Sequence, residues 1–396
     1  MDIQLAGRVQ RVKPSPTMAV TARAAEMRAA GHDIIGLGAG EPDFDTPQHI
    51  SEAAIQAIRS GQTRYTPVDG TPALKQAIQA KFERDSELTY EGNQILVSSG
   101  AKQSLYNLFT ALLNEGDEVV IPAPFWVSYP DMVLLADGVP RIVEADQTQR
   151  FKITPEQLAD AITDRTRAVV LNSPSNPTGS AYSRAELQAL GEVLRRHPDL
   201  VIVSDDIYEH ILWTEEGFSN IAMACPDLVD RTVLVNGVSK AYAMTGWRIG
   251  YAAGPASLIG AMKKIQSQST SNPSSISQAA SVAALDGDQG VIEPMLKAFR
   301  ERHDYVVQRL NAMQGVSCIA GDGTFYAYPD VSGAMKALDA VDTDTELAEY
   351  LIGEANVALV PGTAFGLSGH ARISYATSME NLEKAMDRLE GVFGRD

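Results

Sequence analysis

Cysteine is nearly absent from this sequence, which contains only Cys225 and Cys318 among 396 residues. Two cysteines without CxxC spacing or clustered histidines argue against a disulfide framework and against a cysteine-based metal site. We therefore expect no metal site in this protein. We also expect the protein to work in a reducing cytoplasm.

Long apolar runs are missing as well. The N-terminal residues MDIQLAGRVQRVKPSP include no apolar segment of signal-peptide length, and no later stretch supplies about 18 uninterrupted apolar residues. Positive charge is in the minority, because 33 Lys and Arg against 50 Asp and Glu give a net charge of −17. Such acidity disfavours nucleic-acid and membrane partners, so any anionic ligand must meet positive charge that is local to its site.

Repeats, low-complexity tracts and flexible linkers are absent too, although the chain is long enough for two or three structural units. Between residues 95 and 253, short apolar runs alternate with helical segments. The seven runs are residues 95–98, 118–121, 140–144, 168–172, 201–204, 232–235 and 249–253. Because their apolarity is continuous rather than alternating, we expect an α/β fold with a mostly parallel seven-stranded sheet whose strands are covered by helices on both faces.

The pattern changes after residue 286 to a long charged helix followed by short strands, which predicts a smaller α+β unit. The N-terminal segment ends in the strand-like DIIGLGAG and the turn-like EPDFDTP, and we expect it to join that unit. The predicted division is an N-terminal arm with the first part of the small domain (1–48), a large domain (49–286) and a small C-terminal domain (287–396).

A lysine stands out in the segment NGVSKAYAMTGWRIGYAAG. Lys240 directly follows an apolar strand, and Arg248 lies eight residues further on. Taken alone, a lysine at a strand end most often points at solvent. A lysine that forms a Schiff base must instead be partly desolvated, so that some of its amine is neutral near pH 7.

Polar residues at two further strand ends fit the same chemistry. Asp205, in VIVSDDIYEH, could keep a pyridine nitrogen protonated, and Tyr208 could donate its phenol to a ring oxygen. Asn176 lies between two prolines in NSPSNPTG, which would hold its amide in one place. The ordinary alternatives are a helix cap or turn for Asp205, simple packing for Tyr208 and a stiff turn for Asn176.

Glycine-rich segments suggest where a phosphate would bind. SSGAKQSL runs through Gly100 into a predicted helix whose free N–H groups could hold a phosphate, although it lacks the Walker spacing. GLGAGEP fails the dinucleotide pattern at Glu41, and close backbone approach is the better use of Gly40. Trp126 could stack on a flat cofactor or lie in the core, and Arg372, in ARISYA, could bind a carboxylate or form an internal salt bridge.

Together and in this order, these segments resemble the fold-type I pyridoxal-phosphate-dependent aminotransferases. The resemblance is to the prokaryotic aspartate aminotransferase subgroup, which includes prephenate aminotransferases. It covers essentially the whole chain, from RVKPSPTMAV through RYTPVDG to ARISYAT.

The resemblance implies a role for each matching residue in binding pyridoxal 5′-phosphate. Lys240 would hold the cofactor as a Schiff base and act as the catalytic residue. The other cofactor-binding residues would be Asp205 at the pyridine nitrogen, Tyr208 and Asn176 at the ring oxygen, Trp126 against the ring, and Gly100, Ala101, Lys102 and Arg248 at the phosphate. Tyr65 would reach the phosphate of the other subunit's cofactor, which implies a homodimer with shared active sites.

The resemblance also implies two sets of substrate-binding residues. The α-carboxylate would be bound by Arg372, Asn176, Trp126 and Gly40. The distal carboxylate would be bound by Lys13, Ser15, Thr17 and Lys102, of which Lys13 is associated with accepting prephenate. In one departure, Gly237 replaces a serine that binds phosphate in many family members, and Ser239 is the candidate replacement.

The predicted activity is transfer of an amino group from a dicarboxylic amino acid, aspartate or glutamate, to a 2-oxo acid, 2-oxoglutarate or oxaloacetate, with prephenate as a further acceptor. One alternative is a lyase of the same fold, and another is an aminotransferase for aromatic substrates or alanine. A third is a cofactor-binding regulator without turnover. Such a regulator needs an attached DNA-binding module, and the roughly 30 residues before DIIGLGAG are too few for a helix-turn-helix domain.

Overall fold

The computed structural model describes residues 3–14, 16–338 and 341–394, and its main element is a seven-stranded sheet. The strands of the protein are β1 (Ile35–Gly36), β2 (Ile95–Ser98), β3 (Glu118–Ala123), β4 (Val139–Glu144), β5 (Thr166–Asn172), β6 (Val201–Asp205), β7 (Thr232–Gly237), β8 (Gly250–Ala253), β9 (Tyr326–Ala327), β10 (Val357–Ala358), β11 (Val360–Pro361) and β12 (Ala371–Ser374). The large sheet has the order β2-β8-β7-β6-β5-β3-β4. β8 runs antiparallel to both of its neighbours, and the other six strands run in one direction, so the predicted mostly parallel sheet is confirmed.

Helices surround this sheet and build the rest of the molecule. They are α1 (Gly7–Gln10), α2 (Pro16–Ala29), α3 (Gln48–Arg59), α4 (Pro72–Ser86), α5 (Ala101–Leu112), α6 (Ser128–Leu135), α7 (Pro155–Ala161), α8 (Arg184–Leu194), α9 (Ile221–Ala224), α10 (Ala256–Ser267), α11 (Ser275–Asp286), α12 (Glu293–Leu310), α13 (Ser332–Lys336), α14 (Asp344–Glu354) and α15 (Met379–Phe393). In the described part of the chain, no helix combines the length and apolarity needed to cross a membrane.

Local sequence explains where several helices begin. Capping boxes start three of them, because a hydroxyl accepts from the N3 backbone while the N3 side chain bonds back to the cap. The pairs are Thr154 and Gln157 at α7, Ser183 and Glu186 at α8, and Thr343 and Glu346 at α14. These exchanges satisfy backbone N–H groups that the first helical turn leaves without partners.

Continuous apolar strands produce a core on each face of the large sheet. Successive residues of β2 enter different clusters, with Ile95 and Val97 on one side and Leu96 on the other. The same alternation occurs in β5, where Val169 and Val170 belong to different core clusters. The prediction of strands covered on both faces therefore holds for the edge strand β2 and for the central strand β5.

The covering is incomplete for β4. This strand forms one of the two edges of the sheet, and its apolar residues Val139 and Ile142 are 45% and 39% exposed. Continuous apolarity shows that a run can be buried, but it does not show whether the run lies inside a sheet or at its edge.

Two small sheets complete the fold. β1 pairs in parallel with β10, which joins the N-terminal segment to the C-terminal part of the chain. β12 lies between β11 and β9, antiparallel to both, and carries Arg372. The boundaries at residues 48 and 286 stay a prediction. The carboxyl ends of β5, β6 and β7 meet at one edge of the large sheet, where ligands of α/β folds commonly bind.

We predict that Gly250→Ala lowers thermal stability. A Cβ at this position in β8 would lie 2.1 Å from the Ala101 nitrogen and 2.5 Å from the Gly100 carbonyl carbon, so backbone must move. Overpacking of this kind costs about 1–3 kcal/mol, which corresponds to a melting temperature lower by a few degrees. Gly260→Ala in α10 is the matched control, because no atom lies within 4 Å of its added Cβ. Equal melting temperatures for the two variants would contradict the prediction.

Candidate active site

A cavity of about 480 Å³ lies at the carboxyl edge of the large sheet. The three-stranded sheet borders the cavity through Tyr326 and Arg372, and the helix α2 borders it as well. Eleven of the predicted site residues line its wall: Thr17, Gly40, Ala101, Lys102, Trp126, Asn176, Asp205, Tyr208, Lys240, Arg248 and Arg372. Residues separated by more than 300 positions in the sequence therefore meet in one cavity.

The remaining predicted residues lie elsewhere. Gly100 is just behind the wall, where an added Cβ would lie 2.2 Å from an Arg248 side-chain nitrogen. Its φ of 92° also favours glycine. Lys13 and Tyr65 are exposed and do not line the cavity, and Tyr65 is 93% exposed. Ser15 lies outside the described residues.

Lys240 enters the cavity from the segment that follows β7. Its ammonium donates a hydrogen bond to the Gly40 carbonyl and lies 5.9 Å from the centroid of the Tyr208 ring. Burial lowers the pKa of Lys240 to about 8, and the positive charge of Arg372 adds to this effect. A substantial fraction of the amine is therefore neutral near physiological pH, as a nucleophilic lysine requires.

Asp205 ends β6 and points into the same cavity. Its carboxylate accepts a hydrogen bond of 2.5 Å from the Tyr129 hydroxyl, while Asn172 holds its backbone carbonyl at 2.9 Å. Burial raises the pKa of Asp205 to about 6 and outweighs the opposing effect of the Tyr129 bond and of nearby Lys240. A cationic ring nitrogen beside this buried carboxyl would favour its charged form.

Tyr208 and Asn176 lie between Asp205 and Arg372. The Tyr208 hydroxyl is 2.9 Å from the Tyr326 hydroxyl, and burial, reinforced by Tyr326, raises the pKa of Tyr208 well above its usual value. The Asn176 backbone N–H donates to the Asn172 side chain at 2.9 Å. Its own side-chain oxygen accepts from Arg372 at 2.8 Å, which fixes the direction of the amide.

Arg372 is a buried cation, only 2% exposed, that reaches the cavity from β12. It donates to Asn176 and, at 2.7 Å, to the Gly38 carbonyl. Its Nε has no partner among the described residues, and no described acidic side chain forms an ion pair with it. An internal salt bridge, the alternative for Arg372, is therefore not present in that part of the chain. An anionic ligand would offset the cost of burying this charge.

The end of the cavity beside α5 is also positive. Arg248 and Lys102 line it beside the N-terminus of α5, where backbone N–H groups are free. Lys102 lies 4.9 Å from the Trp126 ring, and burial together with Arg248 lowers the pKa of this lysine. This end of the cavity therefore supplies the local positive charge that an anionic ligand needs in an acidic protein.

The absence of a serine at position 237 has a structural reason. A Cβ on Gly237 would lie 2.9 Å from the Ile249 carbonyl and 3.0 Å from the Gly250 Cα, so a serine at this position would require the backbone of residues 249–250 to shift. Ser239 lines the cavity, whereas Gly237 does not. This placement makes Ser239 the better candidate for the missing phosphate contact.

Sequence reasoning missed two tyrosines of the site. Tyr129 lies in the first turn of α6, three residues after Trp126, and its closeness in sequence to a predicted site residue was the available signal. Tyr326 stands in FYAYPD, but its place beside Arg372 depends on strand register, for which the sequence carries no local signal.

Comparison with known proteins places this cavity in a family. Residues 32–389 match aminotransferase class I and II. The chain belongs to this family. The predicted family, the enzyme class and the dependence on pyridoxal phosphate are thereby confirmed.

Individual relatives cover the whole length of the chain. An aspartate/prephenate aminotransferase from Nitrosomonas europaea is 57% identical, over 98% of this chain and 100% of the relative. One from Cereibacter sphaeroides is 56% identical, over 98% of both chains. The crystal structure of the aspartate aminotransferase from Rhizobium meliloti superposes with a TM-score of 0.96 at 49% identity, covering 100% of both chains. The aspartate aminotransferase from Thermus thermophilus with maleate gives 0.93 at 45% identity, over 99% of this chain and 100% of that one.

The site of this aminotransferase fits the family's cofactor. Lys240, whose pKa is lowered, suits the cofactor's aldehyde, and the buried carboxyl of Asp205 suits its pyridine nitrogen. The positive end of the cavity beside the N-terminus of α5 suits its phosphate. When bound, pyridoxal phosphate supplies an electron sink that makes a proton on the substrate's Cα acidic.

We predict that Lys240 reacts as an amine at unusually low pH. In apoenzyme treated with an acylating reagent, labelling of Lys240 should rise about tenfold per pH unit and level off near pH 8, where half of the amine is neutral. Lys384 is the internal control, because its hydrogen bond to Glu380 raises its pKa above the usual value. Its labelling should still increase at pH 10. Mass spectrometry of the peptides measures the labelling of Lys240 and Lys384 at each pH. The same dependence on pH for both lysines would contradict a lowered pKa of Lys240.

Proposed function

We propose that this aminotransferase transfers the amino group of aspartate or glutamate to 2-oxo acids and also uses prephenate. The observation that carries the proposal is Arg372, a buried cation that has no acidic partner among the described residues and faces the same cavity as Lys240. An α-carboxylate matches the planar guanidinium. The Nitrosomonas and Cereibacter relatives are named aspartate/prephenate aminotransferases, which supports aspartate and prephenate as substrates.

The proposed roles follow the positions of the side chains. Arg372 and Asn176 bind the α-carboxylate and so place the substrate's Cα near Lys240. With the cofactor bound, Lys240 Nζ would take the proton from the substrate's Cα and later return a proton, for which a pKa near neutrality is suited. Asp205 keeps the ring nitrogen protonated, and Tyr208 donates to the ring oxygen.

The phosphate and the ring face of the cofactor would be held at the other end of the cavity. We propose that Arg248 and Ser239, together with the Gly100–Lys102 backbone at the start of α5, bind the phosphate. Trp126 would stack on the ring, as its place on the cavity wall allows.

We propose that Lys102 and Lys13 attract the substrate's distal carboxylate. Lys102 lines the cavity, and Thr17 does so from α2. Lys13 is exposed. Burial raises the pKa of Asp131, and the positive charges of Lys13 and Lys102 both oppose this rise. The two cations therefore lie close enough to act on the same carboxyl group, beside the cavity that Lys102 lines.

We predict that Lys13→Ala lowers kcat/KM for aspartate and prephenate by about tenfold while sparing alanine, since alanine has no distal carboxylate to lose a charge-assisted contact. Arg372→Ala should impair every amino donor. Arg8→Ala is the matched control, because Arg8 is a cation of the same segment that faces Asp137 at 3.7 Å. A steady-state panel of donors and acceptors measures these effects. Equal losses for alanine and aspartate in Lys13→Ala would contradict its role.

The panel also tests the alternatives. Release of ammonia together with an unsaturated or β-cleaved product would identify a lyase. A preference for alanine or aromatic donors over aspartate would contradict the proposed substrate class.

We propose that the enzyme is a homodimer in which Tyr65 of each subunit contacts the cofactor phosphate of the other. Tyr65 is 93% exposed in the single chain, and the neighbouring helix α3 carries exposed Ile55 and Ile58. Such a cluster of exposed apolar side chains is typical of an interface. We also propose a cytoplasmic location, which suits the two free buried cysteines.

We predict complementation between two impaired variants, Lys240→Ala and Tyr65→Ala. A hybrid dimer contains two different sites. One is intact, because it takes Lys240 from one subunit and Tyr65 from the other, and the second carries both substitutions. Random mixing makes about half of the dimers hybrid, so roughly a quarter of all sites should regain wild-type activity. Mixing Lys240→Ala with Arg372→Ala is the control, since both residues would serve the same subunit's site and no intact site can form. Activity no higher than the average of the parents would contradict the shared site.

A further inference from the structure

Tyr326 contacts both halves of the proposed site. It is 1% exposed and lies in β9, and its hydroxyl is 2.9 Å from the hydroxyl of Tyr208. The centroid of its ring is 4.5 Å from the Cζ of Arg372. One side chain therefore connects the tyrosine proposed to bind the cofactor with the arginine proposed to bind the substrate.

Strand register explains the contact with Arg372. β9 pairs antiparallel with β12, with Tyr326 opposite Ser374. Arg372 lies two residues before Ser374, so it is a diagonal neighbour of Tyr326 on the same face of the sheet. The ring of Phe365 also lies 4.9 Å from Cζ of Arg372. Two aromatic rings thus hold the guanidinium in a site without a described acidic partner.

The contact with Tyr208 is constrained by the number of protons. A phenol has one hydrogen, so Tyr208 cannot donate to a cofactor oxygen and to Tyr326 at the same time. If Tyr208 donates to the ring oxygen, the hydrogen bond between the two phenols must come from Tyr326. The Tyr326 hydroxyl then determines the direction in which Tyr208 points its proton.

The position of Gly40 limits how far this hydroxyl can move. A Cβ at Gly40 would lie 2.9 Å from the Tyr326 oxygen, so the backbone of residue 40 packs directly against it. The Gly40 carbonyl also accepts the hydrogen bond of Lys240. The hydroxyl is therefore confined close to both Tyr208 and the catalytic lysine.

We propose that Tyr326 is a positioning residue with two separable functions. Its hydroxyl directs the proton of Tyr208 to the cofactor's ring oxygen, and its ring holds Arg372 in the orientation that binds the α-carboxylate. This inference rests on the roles proposed above for Tyr208 and Arg372.

The test compares Tyr326→Phe with Tyr326→Leu in the holoenzyme without turnover. The first readout is the pH midpoint of the visible absorbance of the lysine-bound cofactor. The second is the Kd of succinate, a dicarboxylate without an amino group, measured through its effect on the same absorbance. Tyr326→Met replaces the leucine variant if circular dichroism shows that the latter is unfolded.

In Tyr326→Phe the midpoint should rise by about half a pH unit, because a weaker hydrogen bond leaves more negative charge on the ring oxygen and the adjacent proton is held more tightly. The Kd of succinate should stay within about twofold, because the ring is retained. In Tyr326→Leu the midpoint should rise equally and the Kd should increase about fivefold or more. This separation of the two readouts is not expected from general destabilisation.

Two control variants distinguish failure of this inference from failure of the proposed function. Tyr375→Phe also removes a buried hydroxyl, one that donates to the Thr324 carbonyl at 3.4 Å, and should change neither readout. Tyr208→Phe should raise the midpoint at least as much as Tyr326→Phe.

An unchanged midpoint in Tyr326→Phe, with a shift in Tyr208→Phe, would overturn the hydroxyl function while leaving the role of Tyr208 intact. No shift in Tyr208→Phe would overturn the role of Tyr208 and, with it, this inference. A succinate Kd that changes equally in the Phe and Leu variants would overturn the ring function.

Discussion

Burial of the Arg372 guanidinium without an acidic partner among the described residues constrains the whole site. The charge is only 2% exposed and is compensated by the oxygens of Asn176 and Gly38 and by the rings of Tyr326 and Phe365. Neutral oxygens and aromatic rings stabilise a buried cation less than a carboxylate does. The cavity is therefore left with an unsatisfied preference for an anion, and this preference supports the proposed role of Arg372 in binding the substrate's carboxylate.

The same burial determines the acid–base properties of the neighbours. Loss of solvent lowers the pKa of Lys240 to about 8 and raises that of Asp205 to about 6. Both shifts bring ordinary side chains towards neutral pH, where proton transfer is most effective. The positive charge of Arg372 contributes to the lowered pKa of Lys240, so the group proposed to bind the substrate also tunes the group proposed to move its proton.

The fold brings these groups together from two sheets. β6 and the segment after β7 in the large sheet carry Asp205 and Lys240, whereas β12 in a small sheet carries Arg372. The hydrogen bond between Asn176 and Arg372 joins the loop after β5 of the large sheet to β12 across 196 residues of sequence. Movement between the sheets would therefore alter the distance between the groups proposed to bind the cofactor and the groups proposed to bind the substrate.

The sequence by itself determined the seven strands, the turns at their ends and the residue types that identify the chemistry, because these depend on local apolarity, on glycine and proline, and on motif order. From this information Lys240, Asp205, Asn176 and Arg372 could be placed in one site. Only the tertiary structure decided that β4 lies at an exposed edge, that Tyr129 bonds Asp205 and that Tyr326 joins Tyr208 to Arg372. Strand order and register bring residues together from distant segments, and no local pattern of residues specifies which strand pairs with which.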